Sequence, residues 1–297
     1  MRRLFVSIAA ALCAAGCAGP SSGEQEEKRF PVSSDYPPGV MERSDFTAGV
    51  PEQWRISALH TPERADADWK IVIITGTPSW SEYWAPTIAG APDNREVIVA
   101  DRPGFRSSEP EDAVRDLAKQ ADALAPMLEA RPGQRVLLVG QSFGAPVATL
   151  MAERYADRVD AMVLVSAYFG DRGPTARRML GVGRLVRPIL PRDLRNSIQE
   201  VTAQTEQLPA VWQALTGLSQ PIVFIHGEAD TFVPIEADQR IAAEYGHTLI
   251  PVPEGDHFLN ACCVPALLAA FEQAIAEAEG RESADPPPAP GPTPALR

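Results

Sequence analysis

Val136-Leu-Leu-Val-Gly-Gln-Ser-Phe-Gly-Ala145 is the stretch that decides how this chain is read. Val136 to Val139 are four consecutive apolar, β-favouring residues without period-2 alternation, which predicts a strand buried on both faces. Gly140-Gln141-Ser142-Phe143-Gly144 then spells G-x-S-x-G, and Ala145 to Arg154 continues with helix-compatible residues. A strand passing into a helix through so tight a turn strains the backbone of its central residue. The residues two positions either side must therefore be small, and both are glycine. Such a turn lifts the Ser142 hydroxyl clear of the sheet and aims helical N–H groups at whatever binds beside it. A glycine-bounded turn around a solvated serine is the plainer alternative, but it accounts for neither the strand before nor the helix after.

Outward from this elbow, strand and helix patterns alternate. Strands are expected at Trp54–Leu59, Lys70–Thr75, Glu96–Ala100, Arg135–Val139, Ala161–Ser166, Ile222–Ile225 and Thr248–Val252, with helices at Asp112–Ala130, Ala145–Tyr155, Glu236–Tyr245 and Pro265–Ala278. Pro126 should interrupt the first helix. The alternation predicts an α/β domain with a mostly parallel sheet covered on both faces. Between Ser166 and Pro221 the rhythm breaks into about fifty residues of helical character with an arginine run (Arg172, Arg177, Arg178, Arg184, Arg187, Arg192, Arg195). An insertion there lies above the C-terminal ends of the strands, where α/β sheets bind ligands. It reads as a small cap, about 168–219, and its arginines as a solvated helical surface rather than an anion site.

The chain's 297 residues suit one large α/β domain, and 45% hydrophobic content is ample for its core. A formal charge of −12 argues against nucleic acid as a partner. At the N-terminus a basic Met1-Arg-Arg3 leads into an apolar run, Leu4 to Ala15, too short to span a bilayer, so residues 1–16 read as a signal peptide. Its end, Ala14-Ala15-Gly16-Cys17, resembles the lipobox of bacterial lipoproteins, although that pattern prefers Leu where Ala14 stands. The resemblance implies lipidation of Cys17, with multiple acyl chains giving stable attachment at the periplasmic face of a cell envelope. Residues 17–39, rich in Ser, Glu, Pro and Gly, read as a flexible tether, 40–280 as the folded domain, and the Pro-rich 281–297 as a disordered tail. Cys262-Cys263 reads either as a vicinal disulfide in an oxidising compartment or as two small buried residues at a helix start. Neither a zinc spacing nor a nucleotide motif is present, so no metal and no cofactor is expected.

A serine hydroxyl needs a base to take its proton and a third group to orient that base. Of His60, His226, His247 and His257, the last lies in a polar loop after the final strand, Pro253-Glu-Gly-Asp-His-Phe-Leu259. His226 ends an apolar strand and reads as packed, His60 comes too early, and His247 lies at the wrong end of the sheet. For the acid, Ile225-His-Gly-Glu-Ala-Asp-Thr-Phe-Val-Pro234 turns sharply after a buried strand and places Asp230 at its C-terminal end. Asp171 is the rival, while Asp256 adjoins His257 on an extended loop and diverges from it.

The order Ser142, Asp230, His257 and the local motifs resemble the α/β-hydrolase superfamily over nearly all of residues 53–278. Asp101-Arg-Pro-Gly-Phe-Arg-Ser-Ser108 is similar to the D-x-P-G-F-G-x-S segment after the fourth strand. Gly227, Asp230, Val233 and Pro234 match the acid loop, and Gly255-Asp256-His257-Phe258 the histidine loop. The resemblance implies an eight-stranded sheet and acyl transfer to Ser142, followed by hydrolysis by water activated through His257. It also implies an oxyanion hole from the backbone N–H groups of Phe143 and Thr77. Thr75 stands where the family usually has histidine, leaving the shape of that loop open, and Arg106 replaces a glycine and is expected to pair with a nearby acid.

The implied substrate is a small ester, or else an amide or peptide N-terminus, with no long apolar lid to suggest a lipase. Carbon–carbon-cleaving and cofactor-free haloperoxidase-like members share the triad and stay open. A non-catalytic binder on the same scaffold is the alternative of a different class. Trp80, Trp84, Tyr168, Phe169 and Trp212 are the expected walls of cap and pocket.

Overall fold

The computed structural model describes residues 30–280. The signal peptide, Cys17 and the Pro-rich tail lie outside them. Eight strands form one sheet in the order β1-β2-β4-β3-β5-β6-β7-β8. They are β1 Glu42–Thr47, β2 Arg55–His60, β3 Trp69–Ile74, β4 Arg95–Ala100, β5 Arg135–Gln141, β6 Ala161–Val165, β7 Ile222–Gly227 and β8 Thr248–Val252. Pairing is antiparallel from β1 to β2 and from β2 to β4, and parallel from β4 through β8. Nine α-helices accompany the described strands: α1 Ala85–Gly90, α2 Leu117–Leu124, α3 Gly144–Arg154, α4 Pro174–Val186, α5 Arg192–Ala203, α6 Leu208–Gly217, α7 Ile235–Tyr245, α8 Leu259–Cys262 and α9 Val264–Ala278.

The central strands read as unbroken apolar runs because both faces are covered. One core gathers Val72, Leu138, Leu164 and Phe224 with α2, α3 and α6. The other gathers Ile71, Ile73, Leu137, Val163 and Val223 with α1 and α9. Trp84 is fully buried in this second core and so is not a wall of the site, which corrects that expectation.

All seven expected strands occur, and β1 joins them at the edge. Its sequence, Glu-Arg-Ser-Asp-Phe-Thr, is polar and mostly exposed, so it carries no apolar signal. The helix expected over 112–130 is confined to α2, and a 3₁₀ turn, Ala125–Leu128, takes over where Pro126 cannot continue the hydrogen-bond ladder. The insertion after β6 folds as α4, α5 and α6. Residues ahead of the expected boundary at 40, among them Phe30 and Ser33, already pack on the domain. The Phe30 ring lies 5.0 Å from Tyr83, and Glu82 accepts from the Ser33 amide at 2.7 Å. Cys262 and Cys263 are joined as a vicinal disulfide where α8 meets α9.

Candidate active site

The elbow between β5 and α3 has the geometry its sequence predicts. Ser142 adopts a positive φ of 50°, a strained region for a residue with a side chain. A Cβ on Gly140 would come within 2.7 Å of Ala145 Cα, and one on Gly144 would collide with the carbonyls of Ile74 and Thr75. Only glycine lets strand, turn and helix approach so closely. The turn is pinned from β6, because the Ser142 amide donates to Val165 O at 2.9 Å and the Tyr168 amide donates to Ser142 O at 3.2 Å.

Three of the expected residues converge. His257 Nε2 lies 3.0 Å from Ser142 Oγ, and His257 Nδ1 lies 2.6 Å from Asp230 Oδ2. The other carboxylate oxygen, Asp230 Oδ1, accepts the amides of Phe232 and Val233 at 2.7 and 3.0 Å. Backbone bonds from Glu228 to Val252 O and from Ala229 to Gly255 O knit the acid loop to the histidine loop. The His257 ring stacks on Phe232, with centroids 5.0 Å apart, and meets Phe258 edge-on. Ser142 and His257 are 9% and 7% exposed, so both are largely enclosed yet still reachable from solvent. Asp171 is elsewhere, paired with Arg240 on the surface at 3.0 Å, and Asp256 accepts from the Phe258 amide at 2.7 Å.

His226 is packed as expected, but it is also bonded to the same acid. Its Nδ1 faces Asp238 Oδ2 at 2.7 Å, and its Nε2 faces Val233 O at 3.1 Å and Asp230 Oδ2 at 3.2 Å. Burial alone would push this imidazole down, yet the hydrogen bonds and charges of Asp230 and Asp238 lift it to about 10. Burial raises Asp238, opposed by His226 and by the Ala167 amide. Whichever of the two holds the proton, the His226–Asp238 pair is neutral overall and directs an N–H at Asp230. Asp230 is itself held well below the usual carboxylate range. Its burial works the other way but is outweighed by the charge of His257 and by bonds from His226, His257 and the Val233 amide.

The raised His226 has a consequence for stability. The folded chain keeps a proton that the unfolded chain releases, so the contribution is complete below about pH 6.5 and disappears as pH rises through about 10. Unfolding free energy from urea titrations is expected to fall across this window more steeply than in the double variant His226→Gln/Asp238→Asn. The difference is about one proton, or ~1.4 kcal/mol per pH unit. Parallel pH profiles for the two proteins would show that His226 does not hold that proton.

The loop after β3 lies against the elbow, the Gly76 amide donating to Gln141 Oε1 at 3.4 Å. Among the described residues the backbone N–H groups of Thr77 and Phe143 donate to nothing. Thr75 Oγ1 turns to Ser79 O, and the loop is held instead by Arg102, which donates from Nε to Thr75 O at 2.8 Å and from Nη2 to Gly76 O at 2.9 Å. Arg102 is fully buried and forms a two-pronged pair with Glu200 of α5, at 2.9 and 3.2 Å. Glu200 also accepts from Thr77 Oγ1 at 2.9 Å and Gln120 Nε2 at 2.8 Å. The Arg102 guanidinium lies over the ring of Phe143, 5.0 Å from its centroid. No local pattern in the sequence announces this pair, whose members are 98 residues apart. Arg106 stacks on Trp80 at 4.1 Å and reaches Asp193 at 3.9 Å, the acid pairing expected of it.

The family model described as the alpha/beta hydrolase fold matches residues 71–181. A 2-hydroxy-6-oxononadienedioate/2-hydroxy-6-oxononatrienedioate hydrolase from Paraburkholderia phymatum is 26% identical over 207 residues, covering 56% of this chain and 71% of its own. Among solved structures, a thermophilic esterase from Thermogutta terrifontis superposes with a TM-score of 0.64 at 19% identity, covering 80% of this chain and 99% of the esterase. A bromoperoxidase from Bacillus anthracis gives a TM-score of 0.59 at 18% identity, covering 80% and 98%. The chain has the α/β-hydrolase fold, and the proteins it resembles are named as a hydrolase, an esterase and a bromoperoxidase.

Proposed function

We propose that this chain is an exported serine hydrolase that cleaves a small ester, or an amide, through Ser142, His257 and Asp230. The observation that carries the reading is the unbroken line of contacts from Ser142 Oγ to His257 Nε2 and from His257 Nδ1 to Asp230. His257 takes the Ser142 proton as Oγ attacks the carbonyl carbon, and the carbonyl π electrons move to oxygen. The amides of Thr77 and Phe143, two uncommitted donors beside Ser142, receive that oxyanion. As the intermediate collapses, His257 gives its proton to the leaving oxygen or nitrogen, and an acyl group stays on Ser142. Water then attacks the acyl carbon while His257 takes its proton, and as the C–Oγ bond breaks His257 returns that proton to Ser142 Oγ, releasing the acid. Asp230 keeps its negative charge throughout, fixing the His257 tautomer and stabilising the imidazolium.

Cys17 is proposed as the lipidated residue that tethers the enzyme to the periplasmic face of the envelope. The support is the lipobox-like Ala14-Ala15-Gly16-Cys17 after an apolar run. Hydrolysis of a 2-hydroxy-6-oxo-dienoate is the second reading, favoured by the 207-residue match to a hydrolase named for such substrates.

The test uses the chain from Ala18 onward, which retains every described residue. Incubation with a fluorophosphonate should leave one adduct, located by peptide mass spectrometry on Ser142, and abolish turnover of p-nitrophenyl acetate. A folded protein that neither reacts nor turns over ester would be a binder on a hydrolase scaffold. Turnover of a 2-hydroxy-6-oxo-dienoate well above that of simple esters would favour the second reading.

A further inference from the structure

The cap carries a surface that the chemistry at Ser142 does not use. Val182, Leu185 and Ile189 are 56%, 84% and 82% exposed, and they make up most of the large apolar side chains that the described residues present to water. With Arg178 they fall at spacings of four, three and four residues, one stripe along α4 and the 3₁₀ turn that follows it, Arg187–Ile189. The opposite side of this helix is occupied, since Gly183 sits against Ile198 of α5. Arginines border the stripe. Residues 174–195 hold six arginines and a single carboxylate, Asp193, within a chain whose formal charge is −12. Arg177, Arg178, Arg184 and Arg187 are exposed and form no ion pair among the described residues. A short helix with apolar residues on its outer face and arginines at its edges has the make-up of one that lies in a membrane interface.

The position of the stripe fits that role. The first residues of α4 are fixed to the acid loop, the Gly173 amide donating to Phe232 O at 2.7 Å and Thr175 Oγ1 lying 2.8 Å from Thr231 Oγ1. The cap helix therefore stands at the end of the sheet that holds Ser142. The first described residue, Phe30, is at the same end, its ring 6.1 Å from Phe258 beside His257. Only twelve residues separate Cys17 from Phe30, a reach of at most about 45 Å. No described helix is long and apolar enough to cross a membrane, so contact would be with the surface.

We propose that the outer face of α4 and its 3₁₀ extension docks on an anionic lipid bilayer, with Val182, Leu185 and Ile189 entering the interface and the flanking arginines meeting acidic headgroups. This turns the entrance of the site toward the membrane. The proposal is independent of the reaction at Ser142.

The chain from Ala18 onward, which lacks any acyl anchor, would be floated with vesicles of phosphatidylcholine alone or mixed with phosphatidylglycerol. It is expected to float with the mixed vesicles at low salt and to bind the neutral ones roughly tenfold or more weakly, with binding reduced by high salt. Substituting Val182→Ser, Leu185→Ser and Ile189→Ser together should lower partition roughly tenfold or more. Arg178→Gln and Arg184→Gln should each cost about fivefold. Turnover of a water-soluble ester should be unchanged in all of them, because these side chains lie on the surface. Equal binding to neutral and anionic vesicles would overturn the proposal, as would failure of the apolar variant to weaken it. A concentration-dependent dimer that this variant abolishes, without vesicle binding by the parent, would make the stripe a self-association face and overturn it too.

Discussion

Asp230→Asn is expected to lower kcat about 10⁴-fold in a protein that still folds, the loss that follows when a triad carboxylate becomes an amide. The geometry says why so small a change should matter. Asp230 Oδ1 accepts two backbone N–H groups, from Phe232 and Val233, and an amide nitrogen in its place would face two donors. The asparagine oxygen therefore takes that position and the NH₂ group takes the place of Oδ2. There it confronts His257 Nδ1, formerly 2.6 Å from a carboxylate oxygen, and His226 Nε2 at 3.2 Å. His257 Nδ1 must become an acceptor, whereas His226 Nε2 keeps Val233 O, at 3.1 Å, to receive its N–H. For His257 this moves the proton to Nε2, the atom 3.0 Å from Ser142 Oγ, so the base has no lone pair to receive the serine proton. Steady-state kinetics with p-nitrophenyl acetate, beside circular dichroism to confirm the fold, would measure the loss. A decrease of only a few-fold would show that Asp230 does not orient the base.

The features of this arrangement that were legible in the sequence are those written locally. The apolar run of β5, the two glycines of the elbow and the start of α3 occupy ten consecutive residues, and each constrains the others sterically. His257 stood out because polar loops at the C-terminal ends of parallel strands are few and only one carried a histidine. Asp230 is favoured over its rivals by the sharp turn that follows a buried strand, and the structure adds what the sequence lacks: β7 pairs with β8, while Asp171 is drawn to Arg240 of α7. Interactions that join distant segments left no trace. His226 read as a packed strand residue, and its bond to Asp238 depends on how α7 returns across the end of β7. The polar edge strand β1 is stabilised by pairing with β2 rather than by burial, so periodicity had nothing to detect. Phe232, which stacks on His257, is one apolar residue of the acid loop, and nothing in its local pattern marks that contact.

Glu200→Ala is expected to be the most destabilising single change near the site, by about 3–5 kcal/mol, because it leaves the Arg102 charge buried without its partner. Gln120 alone would remain to Arg102 Nη1, at 2.6 Å, and Thr77 Oγ1 would lose its acceptor. The double replacement Arg102→Met/Glu200→Leu removes both charges and fills the volume with apolar atoms, so much of the stability should return, as buried ion pairs commonly allow. Activity should not return with it. Without the guanidinium, the carbonyls of Thr75 and Gly76 lose the donors that set the path of the loop, and the Phe143 ring loses the cation above it. Misplacing one oxyanion donor costs on the order of 10²-fold in kcat, with little effect on substrate binding in the ground state. Thermal melts, with kcat and KM measured individually for the single and double variants, would therefore distinguish stability from loop positioning, which the wild-type protein combines in one ion pair. A double variant that is stable and fully active would mean that the loop after β3 keeps its shape unaided. One that regains stability but stays slow, with KM unchanged, would establish Arg102 and Glu200 as positioning residues, through which the cap helix α5 holds the oxyanion loop in place.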